Sequence, residues 1–422
     1  MKKTTAAVSF AALMLLGVLV AAGMVPASRA ASTDGPMLQA AFTPTGISPS
    51  QYQAGGTGPF QFASPSFQRV WDRTDHPVKL SQVSRTWFWG PGPNTPALSE
   101  QYNEDPTGKH QRLVQYFDKS RMEINNPGGD PNSSFFVTNG LLTVELISGF
   151  VQVGEKDYQK YRPSCIPMTG DANDTFAPTY FSVQRVSNTQ AGDHPAPDRT
   201  GQKATDTIDR AGNTGNDPSR ALVPGVDMVH FEPQTKHNIP RIFWDFLNSS
   251  GPVHNEADVV VNQQLITPWF FASGLPISEA YWTKATVGGQ IKDVMIQAFE
   301  RRALTYVPSN SPGFQVEMSN IGQHYFDWRY RDRGVCPAAT PAPATNTVLA
   351  TSTVPAPTKT AVRTATPTTP SPTRTTGPTS TPCIACPTPR PTASGVPIPP
   401  GTVVDATITI PTPTTTVHPL AR

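Results

Sequence analysis

The stretch IQAFERRALTYVP, residues 296–308, decides how this chain is read, because residues 114–126, VQYFDKSRMEINN, match it. Val114 aligns with Ile296, Gln115 with Gln297, Phe117 with Phe299, Asp118 with Glu300, Lys119 with Arg301, Met122 with Leu304 and Ile124 with Tyr306, all 182 positions apart. Taken alone, Glu300 beside Arg301 looks like acid–base chemistry. Set beside Asp118 and Lys119, it reads as a pair kept because each copy of a unit needs it to fold.

The match extends in both directions. Upstream, TWFWG at 86–90 faces PWFFA at 268–272, SEQY at 99–102 faces SEAY at 278–281, and Trp71 stands opposite Trp244. Downstream, FFVTNGLL from Phe135 faces FQVEMSNIG from Phe314. One unit is therefore used twice, over 67–142 and 243–330, and such internal repetition precedes any fold assignment. Each copy opens with spaced aromatics, FQRVW or IFWDFL, that suit a short helix. A Gly/Pro-rich turn and a Ser-Glu-x-Tyr element follow. A strand-like run then ends in Pro and Gly, and a second strand closes a hairpin. Within 296–308, Ile296, Ala298 and Glu300 fall on one face of a strand and Gln297, Phe299 and Arg301 on the other, with a bulge near Glu300–Arg301 to repair the alternation. In WFWG, the same period puts Trp87 and Trp89 on one face and Phe88 on the other.

The expected fold is mainly β with minor α (α+β): two related β-hairpin-rich modules followed by a disordered Pro/Thr-rich tail. The chain divides into a signal peptide (1–30), a linker (31–64), module 1 (65–150), a connector with a long polar loop (151–235), module 2 (236–336) and a stalk (337–422).

The segment SGLPISEAYW…VGG…IQAFERRALTYVPSNSPGFQVEMSNIG resembles the LGFP repeat of envelope-associated bacterial proteins. Gly274, Pro276, Ser278, Glu279, Gly288, Gly289, Phe299, Glu300 and Tyr306 fill matching places, while Ser273, Leu275 and Arg302 depart from the pattern. The body is also similar to large secreted proteins of Chloroflexi-type bacteria with Pro/Thr-rich tails. The resemblance implies attachment to the cell envelope rather than catalysis.

The ends of the chain agree with export. Lys2 and Lys3 precede a long apolar run, and SRA before Ala31 has the small-x-small pattern of a cleavage site. No later segment is apolar enough to cross a bilayer. Residues 337–422 hold 19 Pro and 25 Thr with no Phe, Trp or Tyr, so they cannot build a core. Residues 31–336 carry 25 Lys and Arg against 30 Asp and Glu, a mildly acidic body with no concentrated basic patch for nucleic acid. A Cys165–Cys336 bridge is compatible with an oxidising compartment. The tail motif of Cys383 and Cys386 lacks a second ligand pair.

Motifs of chemistry are sparse. Asp118 and Glu300 invite comparison with a glycosidase carboxylate pair. Being related by the repeat, with Lys119 and Arg301 beside them, they read as structural, as do Glu100 and Glu279. His230, His237 and His254, with Asp227, Glu232 and Asp258 nearby, match no common zinc spacing. The run DANDT at Asp171 lacks the glycine and closing glutamate of a calcium loop and suits an Asx-type turn. No cofactor and no metal site are expected. All seven tryptophans lie in the two units. Most belong to the core, but Trp89 and Trp282 are candidates to stack on sugar rings. The expected protein is an exported, cell-envelope-associated binding or structural protein that contacts cell-wall glycan; the alternative is a secreted hydrolase with its site near the histidine-bearing connector.

Overall fold

The stretch that opens the sequence reading folds as a strand, a tight turn and a second strand. In the computed structural model, which describes residues 47–255 and 259–337, Phe299 to Arg302 is the turn, closed by the Phe299 N–H donating to the Arg302 carbonyl. The hairpin turn therefore sits at Glu300–Arg301, where the sequence suggested a bulge in one continuous strand. The expected signal peptide, the start of the linker (31–46) and the stalk beyond residue 337 lie outside the described residues.

Module 1 runs α1 (Pro65–Lys79), β1 (Leu98–Gln101), β2 (Gln111–Phe117), β3 (Ser120–Ile124), β4 (Thr138–Asn139) and α2 (Leu142–Ser148). The four strands form one antiparallel sheet in sequence order. The connector adds β5 (Phe150–Gln152), β6 (Tyr158–Lys160), β7 (Asp206–Ile208), β8 (Thr214–Asn216) and β9 (Met228–Glu232), and β10 (His237–Pro240), at the start of module 2, pairs with β9. Module 2 runs α3 (Arg241–Leu247), β11 (Ser250–His254), β12 (Val260–Gln264), β13 (Tyr281–Val287), β14 (Gln290–Ala298), β15 (Ala303–Tyr306), β16 (Val316–Met318) and α4 (Ile321–Tyr330). Among the described residues the fold is mainly β with four α-helices.

The repeat is visible in the strand register. Val114 faces Glu123 as Ile296 faces Thr305, and Gln115 faces Met122 as Gln297 faces Leu304, each 182 residues on. Gln115 and Gln297 are wholly buried and act alike. Gln115 Nε2 donates to the Gln61 and Thr95 carbonyls, and Gln297 Nε2 to those of Asn238 and Ser278. The Thr95 hydroxyl accepts from Tyr116 N as the Ser278 hydroxyl accepts from Ala298 N. This makes Thr95, not Ser99, the counterpart of Ser278 and corrects the SEQY–SEAY pairing. The helices also differ from the sequence alignment. Phe67 and Trp71 are the buried i,i+4 pair of α1, and Phe243 and Leu247 that of α3, so Trp244 is not the partner of Trp71.

The modules interlock through reciprocal contacts. Gln323 N, in the first turn of α4, donates to the Asp118 carbonyl of module 1, and Val144 N of α2 donates to the Glu300 carbonyl of module 2. Lys119 Nζ donates to the Met318 carbonyl at 2.5 Å, and Arg301 Nη1 donates to the Asn139 carbonyl. Each hairpin turn thus receives the other module's helix and basic side chain, the reciprocal pattern of an isologous interface. Gly90 and Gly274, both with positive φ, lie against Asp118 and Glu300 at the two turns, where an added Cβ would come within 3.0 and 2.7 Å of the acid's Cβ. Helix α4 packs over β2 and β3 of the other module.

Three further expectations change. Residues 47–64 do not behave as a linker: Ile47 and Tyr52 are buried, Tyr52 stacks on Phe326 at 4.6 Å, and Gly55 N donates to Asp118. The polar connector is built into the body. Strands β7 and β8 extend the sheet of module 2 through parallel pairing of Thr207 with Trp282. Within the connector, residues 170–186 form a loop ending in a 3-10 turn at Ser182–Val186, where Asp174 spends its carboxylate on Phe176 N, Ala177 N and Thr286 N. The 86–90 segment is likewise a loop, tied by Asp75 rather than by a strand partner. Cys165 and Cys336 are disulfide-bonded.

Candidate functional site: a groove along the first helix

Helix α1 starts with Ser64 as its N-cap and Pro65 at its first position, a favourable start because Pro has no N–H to leave unpaired. Its apolar side, Phe67 and Trp71, turns into the core, and the helical period places Ser66, Arg69, Asp72, Arg73 and His76 along another side. That side is the floor of a groove of about 750 Å3. One wall is the 131–134 loop. The other is formed by His254, Asn255 and 265–267, and Trp89, Val137 and Phe271 close the inner end.

Two arginines of α1 fix the walls. Arg69 donates to the Pro131 carbonyl at 2.6 Å and to Asn132 Oδ1 at 3.3 Å. Arg73, one turn later, donates to the Gln264 and Leu265 carbonyls and to Gln263 Oε1. Burial draws the Arg73 guanidinium below its ordinary value. A further turn on, His76 Nδ1 lies 3.1 Å from Nδ1 of His254, and Asp72 Oδ1 is 3.7 Å from the same His76 atom. His254 Nε2 is 3.3 Å from Gln82 Oε1. Phe135, half exposed and next in sequence to the 131–134 wall, has its ring 6.3 Å from that of Phe271.

Beneath the groove, Asp75 is wholly buried and accepts from the backbone N–H groups of Phe88, Trp89 and Gly90. Burial pushes its carboxyl up to about 6 despite these donors. Arg302 lies 5.2 Å from the Trp89 ring, and burial, helped by Arg301, pulls it down to about 9.

Of the tryptophans and histidines singled out in the sequence, Trp89 and His254 line the groove, and Trp282, His230 and His237 do not. Trp89 is fully buried with its indole N–H on Thr74 Oγ1, and Trp282 is 1% exposed with its N–H on the Ala204 carbonyl. Neither presents a ring face on which a sugar could stack. Their burial follows from the tight loop held by Asp75 and from the β7 strand laid beside β13. Asp118 accepts from Gly55 N, Asn94 Nδ2 and Gln323 Nε2, and Glu300 from Leu275 N. With Lys119 and Arg301 they hold the module junction, and none of the four lines the groove. The histidines disperse: His230 stacks on Trp244 at 4.0 Å, and His237 is buried against Glu279 at 3.3 Å. Only His254 reaches the groove, with His76 as a partner that sequence proximity did not suggest. Among the described residues, no group of three or more His, Cys, Asp or Glu is gathered tightly enough to hold a metal ion.

A second cluster of charge is structural. Glu100 accepts from Arg112 at 3.2 Å, Arg329 at 3.0 Å and the hydroxyls of Tyr116 and Tyr330 at 2.6 Å, with Arg121 at 3.3 Å. Glu123 and Glu145 complete a set of three carboxylates and three guanidiniums with almost no exposure. Burial alone would raise the Glu100 carboxyl; Arg121, Arg329 and Arg112 with the Tyr116 hydroxyl hold it well below the usual range. Arg329 comes from α4, so this network is another link between the modules. None of its members lines the groove.

No protein family, no curated protein and no solved structure matches this chain.

Proposed function

We propose that this protein is an exported, non-catalytic envelope protein whose body holds an extended, uncharged polar polymer, cell-wall glycan, in the groove along α1. The observation that carries this reading is how the groove's donors are committed. Arg69 and Arg73 spend N–H groups on the Pro131, Gln264 and Leu265 carbonyls and on the Asn132 and Gln263 side-chain oxygens, which turns their guanidiniums away from a fork on phosphate. Hydroxyl, amide and carboxylate groups from Ser66, Gln68, Asp72, Asn132 and Ser133 then surround an aromatic inner end at Phe271. Mixed hydrogen-bonding groups around an apolar surface suit a sugar chain. Export is supported by the Cys165–Cys336 disulfide, together with the leader and the Pro/Thr-rich tail read from the sequence.

The test is co-sedimentation of the full chain with purified, protein-free cell wall. Gln68→Trp with Ser134→Trp fills the groove from exposed positions without touching the core. The filled variant is expected to lose at least about tenfold in binding, as blocking a pocket by steric means removes about 1.4 kcal/mol or more. Equal binding by both proteins, or none by either, overturns the reading.

One observation favours a second reading, a secreted hydrolase: Asp72, His76 and His254 open onto the same groove. Soluble fragments released from cell wall by the wild type and not by His254→Ala would select it. No release by the wild type removes it.

A further inference from the structure

We propose that the side chains of Lys119 and Asn320 join as an intramolecular amide, a covalent cross-link that ties the β2–β3 turn of module 1 to the start of α4 in module 2. The inference stands on the geometry of the junction and does not rest on the glycan reading.

Lys119 lies in the two-residue turn between β2 and β3, and it is buried. Its Nζ donates to Asn320 Oδ1 at 3.1 Å as well as to the Met318 carbonyl at 2.5 Å. With a carbonyl bond of ~1.2 Å, the carboxamide carbon lies within about 4.3 Å of Nζ, about 1 Å beyond the separation at which reacting atoms are poised to bond.

Two observations set this contact apart from an ordinary hydrogen bond. Asn320 occupies the N-cap of α4, where an Asn side chain usually accepts from the helix's own N–H groups, yet it makes no such bond. The Asp118 carbonyl takes Gly322 N and Gln323 N instead, which leaves the carboxamide to Lys119. The junction is also reciprocal except at this pair. At the other turn Arg301 stands in the place of Lys119, and Leu141, the N-cap of α2, stands in the place of Asn320. An alkyl side chain has no carbonyl to attack, and a guanidinium that is always charged offers no free amine. The chemistry is present in one half of a junction whose backbone contacts are matched in both.

Burial draws the Lys119 ammonium below its ordinary range, against the pull of Glu317 and Asp118. The neutral amine that burial favours is the nucleophile. Its lone pair attacks Asn320 Cγ, and the new C–N bond forms there. The Cγ–Nδ2 bond breaks, and its electron pair leaves with Nδ2. Glu317, the opposite charge felt most strongly at Lys119, takes a proton from Nζ and hands it to Nδ2, so that ammonia departs. Asn320 is exposed, which gives the ammonia a way out. One amide replaces another, with no oxidant, reductant or cofactor. The N–H of the new amide keeps the bond to the Met318 carbonyl.

The link joins residues 201 positions apart and overlaps the loop closed by Cys165–Cys336. Unlike the disulfide it resists reductant, so module 1 stays tied to module 2 in either redox state.

The experiment is a tryptic peptide map of the full chain, purified folded and then reduced and denatured. In the linked chain trypsin cannot cut after Lys119, and peptide 113–121 is joined to peptide 303–329, one ammonia lighter than the two together. The joined peptide is expected in most of the wild-type chain and in none of Lys119→Arg, which keeps the positive charge but has no amine to react. On a denaturing gel in reductant, the linked wild type should run ahead of Lys119→Arg because its closed loop stays compact. The wild-type map decides the matter even where the variant fails to fold. A wild-type map in which 113–119 is cut free and 303–329 is unlinked, or a link that maps to another pair, overturns the proposal.

Discussion

Replacing Glu100 with Gln tests the account of what joins the two modules. The carboxylate is fully buried and takes three guanidiniums and two tyrosine hydroxyls. With Glu123 and Glu145 it balances Arg112, Arg121 and Arg329 charge for charge. The substitution keeps the shape and leaves one buried positive charge uncompensated. Breaking a buried ion pair from one side costs about 3–5 kcal/mol, a large share of the ~5–15 kcal/mol that holds most domains folded. At about 2–4 °C per kcal/mol, the melting temperature should fall by roughly 10 °C. The pH dependence follows from the direction of the shift. Because the folded carboxyl is held well below its ordinary value, its stabilisation is fully present above the unfolded glutamate value of about 4.3 and is lost as pH falls below it. Thermal denaturation of wild type and Glu100→Gln from pH 3 to 8 reads both effects, with the gap between them closing in acid. Restoring charge balance with Arg329→Met in the Glu100→Gln background should recover part of the loss. A loss below about 1 kcal/mol at neutral pH, the range of an exposed pair, would refute the assignment of Glu100 as the centre of the junction.

Asp75 should give the opposite slope. With its carboxyl raised to about 6, the folded state keeps a proton that the unfolded chain releases near 3.9, so this residue's contribution falls as pH rises from about 4 through 6. The change is about 3 kcal/mol from a shift of about two units, and Asp75→Asn should flatten that part of the melting profile. Gly322→Ala should cost about 1–3 kcal/mol, because an added Cβ would sit 2.0 Å from the Phe117 carbonyl oxygen of the other module. Urea denaturation compares it with Thr143→Ala at the equivalent place in α2, where the smaller loss is expected. Reducing the Cys165–Cys336 bridge opens a loop spanning 171 residues. It should remove up to about 5 kcal/mol on the chain-entropy view, read as a lower melting temperature in reductant that Cys165→Ser reproduces without it.

What was legible in the sequence and what was not divides along physical lines. The repeat was legible because strand register, the buried glutamines Gln115 and Gln297 and the acid–base turn residues recur at one spacing. The position of the turn was not. The sequence around Glu300 carries no Gly, Pro or Asn to announce it, since the other module's α2 caps this turn through Val144 N. A long-range contact does the work that a local turn residue normally does. Trp89 and Trp282 looked available because period alone does not tell a covered strand face from an open one. The connector looked like a surface loop by composition, yet its charges are spent on named partners, Arg220 on Asp293 at 2.9 Å and Arg199 on Asp206 and Glu279. The groove had no local signal at all. Its floor, its loop wall and its far wall come from three segments, and His76 finds His254 only when α1 packs against β11.

The central functional claim, that the α1 groove holds cell-wall glycan, is tested most directly by hydrogen–deuterium exchange on the full chain with and without soluble cell-wall oligosaccharide. Slowed exchange is expected at residues 66–76, 131–137 and 265–271, with the Glu100 network unchanged. Protection confined to other surfaces, or no protection at saturating oligosaccharide, would contradict the account.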